Sequence, residues 1–450
     1  MRAVPFPRSW ITSPRGMNAV RIATAAAVLF LSPALGRDRA LAQPGESLDQ
    51  ASGNPRGNEA AAPSVDELIQ DALAHSPSVA ALRARLEAAR QMAQVPGLPN
   101  PVLEVMTQDA GFPKWTVGEM EMSMVQVGLT QSFPPHGRIG AQKAIGQAEA
   151  DMRGAESEAV RRQVISQVRT LYGKLYALDR EREALSSGAV LLETLARAAM
   201  DRYSASRTEQ EAVLKAQLSS SRLSERRTDL ETERASTVAA LNQLLDRPGD
   251  APIGRVGLLP EVQVPGSGWD SLAVNRSPDV QARRAAVEAA DRRVRLARTG
   301  YWPELMAGGD VGFRGKLDPV VTFRLGIGLP LWETKRTRFE VQAAEADLKM
   351  AQEDQRETEA MVRSAAARLG AEWRRSTEQT RLYREALVPQ SQAALDAAQS
   401  SFLADRVDFS TVIEDFQMWL EARAQMAARE AERFSTWAKL ESLIEGTQGR

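Results

Sequence analysis

Between Pro135 and Pro248 the chain runs without a single proline. Inside that stretch Val164, Val168, Leu171, Leu175, Leu178 and Leu185 step by four, three, four, three and seven residues, the spacing of a heptad seam. The pattern predicts one continuous helix from Ile139 to Tyr203, about 98 Å long at about 1.5 Å per residue. A compact core has no room for such a rod, so the fold has to be elongated.

The chain also says nearly everything twice. Ser76-Pro77, Val79 and Glu87-Ala88-Ala89 return as Ser277-Pro278, Val280 and Glu288-Ala289-Ala290. Pro134 and Pro330 are each followed, fourteen residues on, by Ala-Glu-Ala-Asp, at Ala148 to Asp151 and Ala344 to Asp347. Tyr203-Ser-Ala-Ser-Arg207, with Val213-Leu214 after it, is echoed by Phe402-Leu-Ala-Asp-Arg406 and then Val412-Ile413. These landmarks occur in the same order at offsets of about two hundred residues, which predicts two structural repeats, 64–265 and 266–446, with a tail at 447–450.

Each half follows one grammar. A helical stretch of about thirty residues comes first (66–94 and 268–299). A region punctuated by Pro and Gly then switches to period two, predicting a β-hairpin at about 101–133 and another at about 303–330. In the second, Val321, Phe323, Leu325, Ile327 and Leu329 alternate with Thr322, Arg324, Gly326 and Gly328, giving one greasy face for lipid and one small or polar face for a lumen. Val125, Val127, Leu129 and Phe133 hold the matching places in the first. The run 320–329 is close to the roughly 9–11 residues a tilted strand needs to cross a bilayer. Long helices follow at about 139–246 and 333–446, with Pro389 as a kink. They reverse at Tyr203 to Arg207 and at Phe402 to Arg406.

Four antiparallel strands cannot close a barrel, and open strand edges are not tolerated in hydrocarbon. Pooling strands among identical copies solves this, and three copies give twelve strands, a closed pore with cyclic symmetry. The expected fold class is therefore mainly α with a small transmembrane β part: a trimeric twelve-stranded barrel continued by an α-helical tunnel.

The amino terminus points to export. Arg2, Arg8, Arg15 and Arg21 precede the apolar run Ile22 to Leu31, and Ala40-Leu41-Ala42 is an A-x-A site before Gln43. Residues 1–42 read as a secretory signal, with Met1 or Met17 as the start. Gln43 to Pro63, rich in Gly, Pro, Asn and Gln, reads as a flexible extension. Ser64 and Glu67 form a capping-box pattern that opens the first helix. Removing 1–42 leaves 51 basic against 57 acidic residues, which gives no sign of nucleic-acid binding.

Chemistry is sparsely supplied. The chain has no cysteine and only two histidines, His75 and His136. There is no phosphate-binding Gly-Lys-Ser/Thr loop, no Gly-x-Ser-x-Gly elbow and no metal-ligand spacing. No enzyme, cofactor or resident metal is expected. Met120, Met122 and Met124 would share one side of a strand. Thioethers suit Cu(I), and the same three side chains also serve as ordinary strand packing.

The repeat, the Ser-Pro opening of each half, Leu129-Thr-Gln-Ser-Phe-Pro134 and the two helix reversals resemble the TolC-like outer membrane factors of tripartite efflux systems, over residues 64–446. That family carries an aromatic, two residues and then Gly at each reversal; here Ser206 and Asp405 stand in place of the glycine. The acidic gate positions of the family fall on Ala212 and Thr411, so that part does not carry over, whereas an acid three residues further on matches Glu414, with Asp415 beside it. The resemblance implies a passive trimeric exit duct in a Gram-negative outer membrane, served by a periplasmic adaptor and an inner-membrane pump of the resistance-nodulation-division type. It also implies adaptor docking at tip turns holding Tyr203, Ser206, Arg207, Phe402, Asp405 and Arg406, and a periplasmic gate at Glu414 and Asp415. Phe133-Pro-Pro-His-Gly-Arg138 loosely resembles a Pro-Gly-Lys element of the heavy-metal branch, which gives a slight lean to metal-cation export. Drug efflux, type I secretion and a periplasmic coiled-coil scaffold are the alternatives.

Overall fold

The computed structural model describes residues 61–109, 117, 122–205, 210–262 and 268–444. The proposed signal segment and nearly all of the amino-terminal extension lie outside them. The chain is mainly helical with one small antiparallel sheet. Its axis is α3 (Arg138–Ser204), 67 residues without interruption, or about 100 Å. The heptad positions Val164, Val168, Leu175, Leu178 and Leu185 are all buried along it.

Ser64 caps α1 (Val65–His75) reciprocally: its hydroxyl accepts from Glu67 N, and its own N–H donates to Glu67 Oε2, both at 3.2 Å. The expected thirty-residue helical stretches are each broken in two. α1 stops before α2 (Pro77–Met92), and α5 (Trp269–Arg276) stops before α6 (Pro278–Arg298). The residue before a proline is pushed out of the helical region by the ring's Cδ, and Ser76 and Ser277 accordingly sit at ψ 120° and 128°. The proline then starts the next helix, where its missing N–H costs nothing.

The other helices are α4 (Gln210–Leu244), α7 (Thr334–Leu382), α8 (Val388–Leu403) and α9 (Phe409–Ile444). α7 and α8 are joined by a π turn at Tyr383–Leu387. The interruption falls one turn before Pro389, where the ring would meet the preceding turn and no N–H is available to bond back. α3 packs against α2 and α6 toward the sheet and against α4 and α9 further on, and α9 in turn packs against α7 and α8. Helix approach is tightest at Gly370, where a Cβ would lie 2.5 Å from Trp269.

Largely buried polar pairs fasten the helices at mid-length, within the first repeat and between the two. Arg234 on α4 donates to Asp179 Oδ1 on α3 at 2.7 Å and to the carbonyls of Ile253 and Gly254 at 3.0 Å; Asp179 Oδ2 accepts from Val256 N at 2.9 Å. The connector after α4 is thus clamped onto the rod. Arg169 pairs with Glu441 and stacks 4.5 Å from the Trp437 ring centroid. Glu430 accepts from Tyr176 and from Arg384 of the π turn, both at 2.5 Å. Burial, reinforced by that carboxylate, pushes the Tyr176 phenol up to about 12.

Truncating Asp179 to alanine removes a buried carboxylate and leaves the partly buried Arg234 without its counter-charge, a loss of up to about 3–5 kcal/mol. Glu193→Ala removes one partner of an exposed pair with Arg197, worth less than about 1 kcal/mol. Urea denaturation followed by helical circular dichroism should show a clear loss of stability for the first variant and almost none for the second.

Candidate functional site

The sheet is the first candidate surface. β1 (Val102–Gln108), β2 (Met124–Phe133), β3 (Glu304–Arg314) and β4 (Leu317–Gly328) pair antiparallel in sequence order. The two hairpins meet through β2 and β3, which leaves β1 and β4 as edges. Register aligns Val105, Val127, Val311 and Val321 in one row, and Leu103, Leu129, Gly309 and Phe323 in the next. Leu305 and Ile327 continue the same face. Phe323 is 84% exposed and Leu325 89%. In water such bare apolar surface costs about 25 cal/mol for each Å², so the face must meet something apolar.

The opposite face carries Glu104, Gln108, Gln126, Thr130, Ser132, Glu304, Asp310, Thr322 and Arg324. Gln126 donates to Gln108 at 3.1 Å, and Ser132 donates to Glu304. Thr322 and Arg324 therefore lie on the polar side and Val321, Phe323, Leu325 and Ile327 on the apolar side, the division that the alternation predicts. At the helical end of the sheet Tyr301, Trp302 and Trp332 are exposed together. Among the described residues no helix is long and apolar enough to cross a membrane.

Of the three methionines only Met122 and Met124 fall within the described residues, and only Met124 lies on a strand. β2 begins only at Met124, so Met122 sits in a turn and off the strand face, and Met120 lies outside the described residues. Met124 is buried over Gly312, its sulfur 2.6 Å from where a Cβ of that glycine would be, and it accepts from Gln126 Nε2 at 3.2 Å. Met124 is the first residue of β2 and pairs with Gln108, the last of β1.

The helix reversals are the second candidate. α8 ends in a Schellman arrangement: Asp405 N bonds to Phe402 O at 3.1 Å and Arg406 N to Ser401 O at 2.9 Å, with Asp405 left-handed at φ 55°. Asp tolerates this conformation better than most residues. Ser206 and Arg207 lie outside the described residues. Tyr203 and Arg406 are exposed. Phe402 is buried, its ring 5.4 Å from that of Phe409, so it supports the turn from below and offers no surface. Arg202, which sequence reasoning passed over, holds the second turn from the first repeat. It donates to Phe402 O, to Leu403 O at 3.4 Å and to Asp405, and stacks 4.6 Å from the Phe402 ring centroid. Its only sequence signal is its place beside Tyr203 at the first reversal.

Glu414 and Asp415 diverge, as consecutive helical residues must, by about 100°. Glu414 is exposed; the Lys215 amine is raised chiefly by the hydrogen bond it donates to Glu211 and to a lesser extent by the charge of Glu414. Asp415 lines the groove between α8 and α9 with Tyr383, Gln390 and Met418. At any one level, then, at most one of the two can point straight at a given axis.

A rod of paired helices carrying a sheet bare and apolar on one face, with both edges open, defines a subunit of a membrane-spanning wall. The outer membrane efflux protein family model matches residues 68–247 and 269–446, one segment in each repeat. The chain belongs to that family, and its place is the outer membrane of a Gram-negative bacterium. The fold agrees with solved channels. The outer-membrane channel OprN matches with TM-score 0.72 at 16% identity, covering 85% of this chain and 90% of that one. The outer membrane protein VceC of Vibrio cholerae matches with TM-score 0.71 at 17% identity, covering 85% and 97%. CusC, described by its transmembrane channel formation, gives 0.72 at 16%, covering 85% and 92%. No curated protein matches the sequence significantly.

The apolar face sets a direct test. An arginine at a lipid-facing mid-bilayer position costs about 2–4 kcal/mol. Leu325→Arg should therefore reduce membrane assembly strongly. Gly326→Arg, on the polar face with only Met306 nearby at 3.5 Å, should reduce it much less. Quantifying both proteins in outer-membrane fractions checks the register; equal assembly would contradict it.

Proposed function

We propose that three copies pool their strands into a closed twelve-stranded barrel and their helices into a periplasmic tunnel, forming a passive exit duct. The observation that carries this reading is the four-stranded sheet itself. Its apolar face is bare and its two edges, β1 and β4, have no partner among the described residues. Open edges cannot lie in hydrocarbon, and β4 of one copy can pair with β1 of the next. The exposed Tyr301, Trp302 and Trp332 sit where an aromatic girdle anchors a barrel at the interface.

The duct has no chemistry of its own in this reading. Energy and cargo come from an inner-membrane pump, of the resistance-nodulation-division type, through a periplasmic adaptor docked at the tips. Tyr203, Ser206, Arg207, Asp405 and Arg406 are the contact residues we assign there, with Phe402 as their buried support. Residues 1–42 act as the export signal and 43–63 as a flexible extension, and 64–265 and 266–446 act as two equivalent wall segments. For cargo we infer metal cations in preference to drugs, on the slight ground of Phe133-Pro-Pro-His-Gly-Arg138. The methionine geometry lends this no support. The gate is assigned to Glu414 on the exposed face of α9, with Asp415 in the neighbouring seam.

Mature protein should fractionate with outer membranes, resist extraction by high salt and run as a trimer in detergent. A monomer soluble without detergent would rule the reading out. For the gate, single-channel recording on the Glu414→Gln, Asp415→Asn double variant should show lower cation selectivity and weaker block by multivalent cations. Unchanged selectivity and block would move the gate elsewhere.

A further inference from the structure

The polar face of the sheet is crossed by an ion-pair rung. Register places Glu104, Gly128, Asp310 and Thr322 in one row across all four strands. Arg324, two residues further along β4, reaches back over that row. Its Nη2 lies 3.2 Å from Asp310 Oδ1 and 3.7 Å from Glu104 Oε2. Gly128 makes the crossing possible: a Cβ there would stand 3.0 Å from Asp310 Cβ and 3.4 Å from the guanidinium nitrogen. Asp310 is only 5% exposed although it stands on a sheet face, whereas Glu104 and Arg324 stay open to solvent. Three strands thus contribute to one charged unit at a fixed height, and it plays no part in closing the sheet or in facing lipid.

We propose that this rung is a charge filter within the barrel that sets the channel's preference between small cations and anions, with Arg324 as the residue that tunes it. The inference rests on the trimeric barrel proposed above, in which the polar face lines the lumen. Two carboxylates and one guanidinium leave each protomer one net negative charge on the rung, so a trimer carries three at one level. Twelve strands about 4.8 Å apart and tilted about 40° close a cylinder of about 12 Å radius. The screening length is about 8 Å at 0.15 M salt and about 30 Å at 0.01 M. At low salt the ring's field therefore fills the lumen and favours cations, and at high salt it retreats to the wall. Removing Arg324 would double the net charge of the ring, and removing Glu104 would cancel it. The tips, at the far end of a helix of about 100 Å, are too distant to be sensed through solvent.

The test is the reversal potential of purified channels in planar bilayers under a potassium chloride gradient near 10 mM. R324Q should raise the potassium-to-chloride permeability ratio by roughly two-fold or more, and E104Q should lower it by a similar factor, with both effects fading at 1 M salt as screening sets in. Because R324Q strips the buried Asp310 of its partner and could impair assembly, the exposed E104Q decides the matter alone if needed. Its effect should also persist when Glu414→Gln and Asp415→Asn are present. Conducting E104Q channels with an unaltered reversal potential overturn the filter while leaving the duct intact. Failure of the native protein to form channels at all overturns the duct and the filter together.

Discussion

The backbone hydrogen bond sets the terms for this molecule. Every strand edge presents a row of N–H and C=O groups that must be paired where water is absent. Four strands in the order β1-β2-β3-β4 satisfy their three internal seams and leave two edges open. The side chains rule out the alternative of staying in water, because Phe323, Leu325 and their row-mates are bare on one face. A sheet that can neither remain solvated nor enter lipid alone demands copies of itself. The duplicated sequence follows from that demand, since each repeat supplies one hairpin and one helical pair to a common wall.

The long helices face a different difficulty. A rod of 67 residues has little to bury per turn, and alanine-rich flanks contribute closeness more than area. Arginines reaching between helices, most of them from one repeat to the other, do much of the fastening. Arg202 closes the second tip turn, Arg234 with Asp179 clamps the connector, Arg169 joins α3 to α9, and Arg162 donates to the Arg276 carbonyl at the end of α5. Several of these guanidinium groups bond backbone carbonyls as well as carboxylates, so they satisfy groups that helix ends leave orphaned. The two repeats of one chain are therefore held as a unit. The interruption at Tyr383–Leu387 is confined to the second repeat, where Glu430 braces it against Tyr176.

Much of this was legible in the residues. The heptad seam gave α3 to within a residue at either end, and the alternation in 320–329 separated the two sheet faces. Proline positions located the breaks only in part. Ser76-Pro77 and Ser277-Pro278 were visible as a repeat, but that each splits a helix became clear from the ψ of the serine. The candidate site was less legible. Spacing placed Met120, Met122 and Met124 together, yet of the two that are described only Met124 lies on β2 and Met122 sits in a turn. Phe402 looked like a tip residue and is core. Arg202 had no motif to mark it, because its partners lie in the other repeat.

The sequence by itself determined the period of each element, the two-fold plan and the need for a partner at the sheet edges. Those properties depend on neighbours within a few residues, or on a pattern that repeats. Only the tertiary structure decided which strands adjoin, that β2 and β3 join the repeats, and that Arg324 passes over Gly128 to reach Asp310. Such choices are made by contacts between residues about two hundred positions apart, and no local periodicity encodes them. For the same reason Glu414 and Asp415, adjacent in the chain, end on different sides of α9, since the helix turns about 100° between one residue and the next.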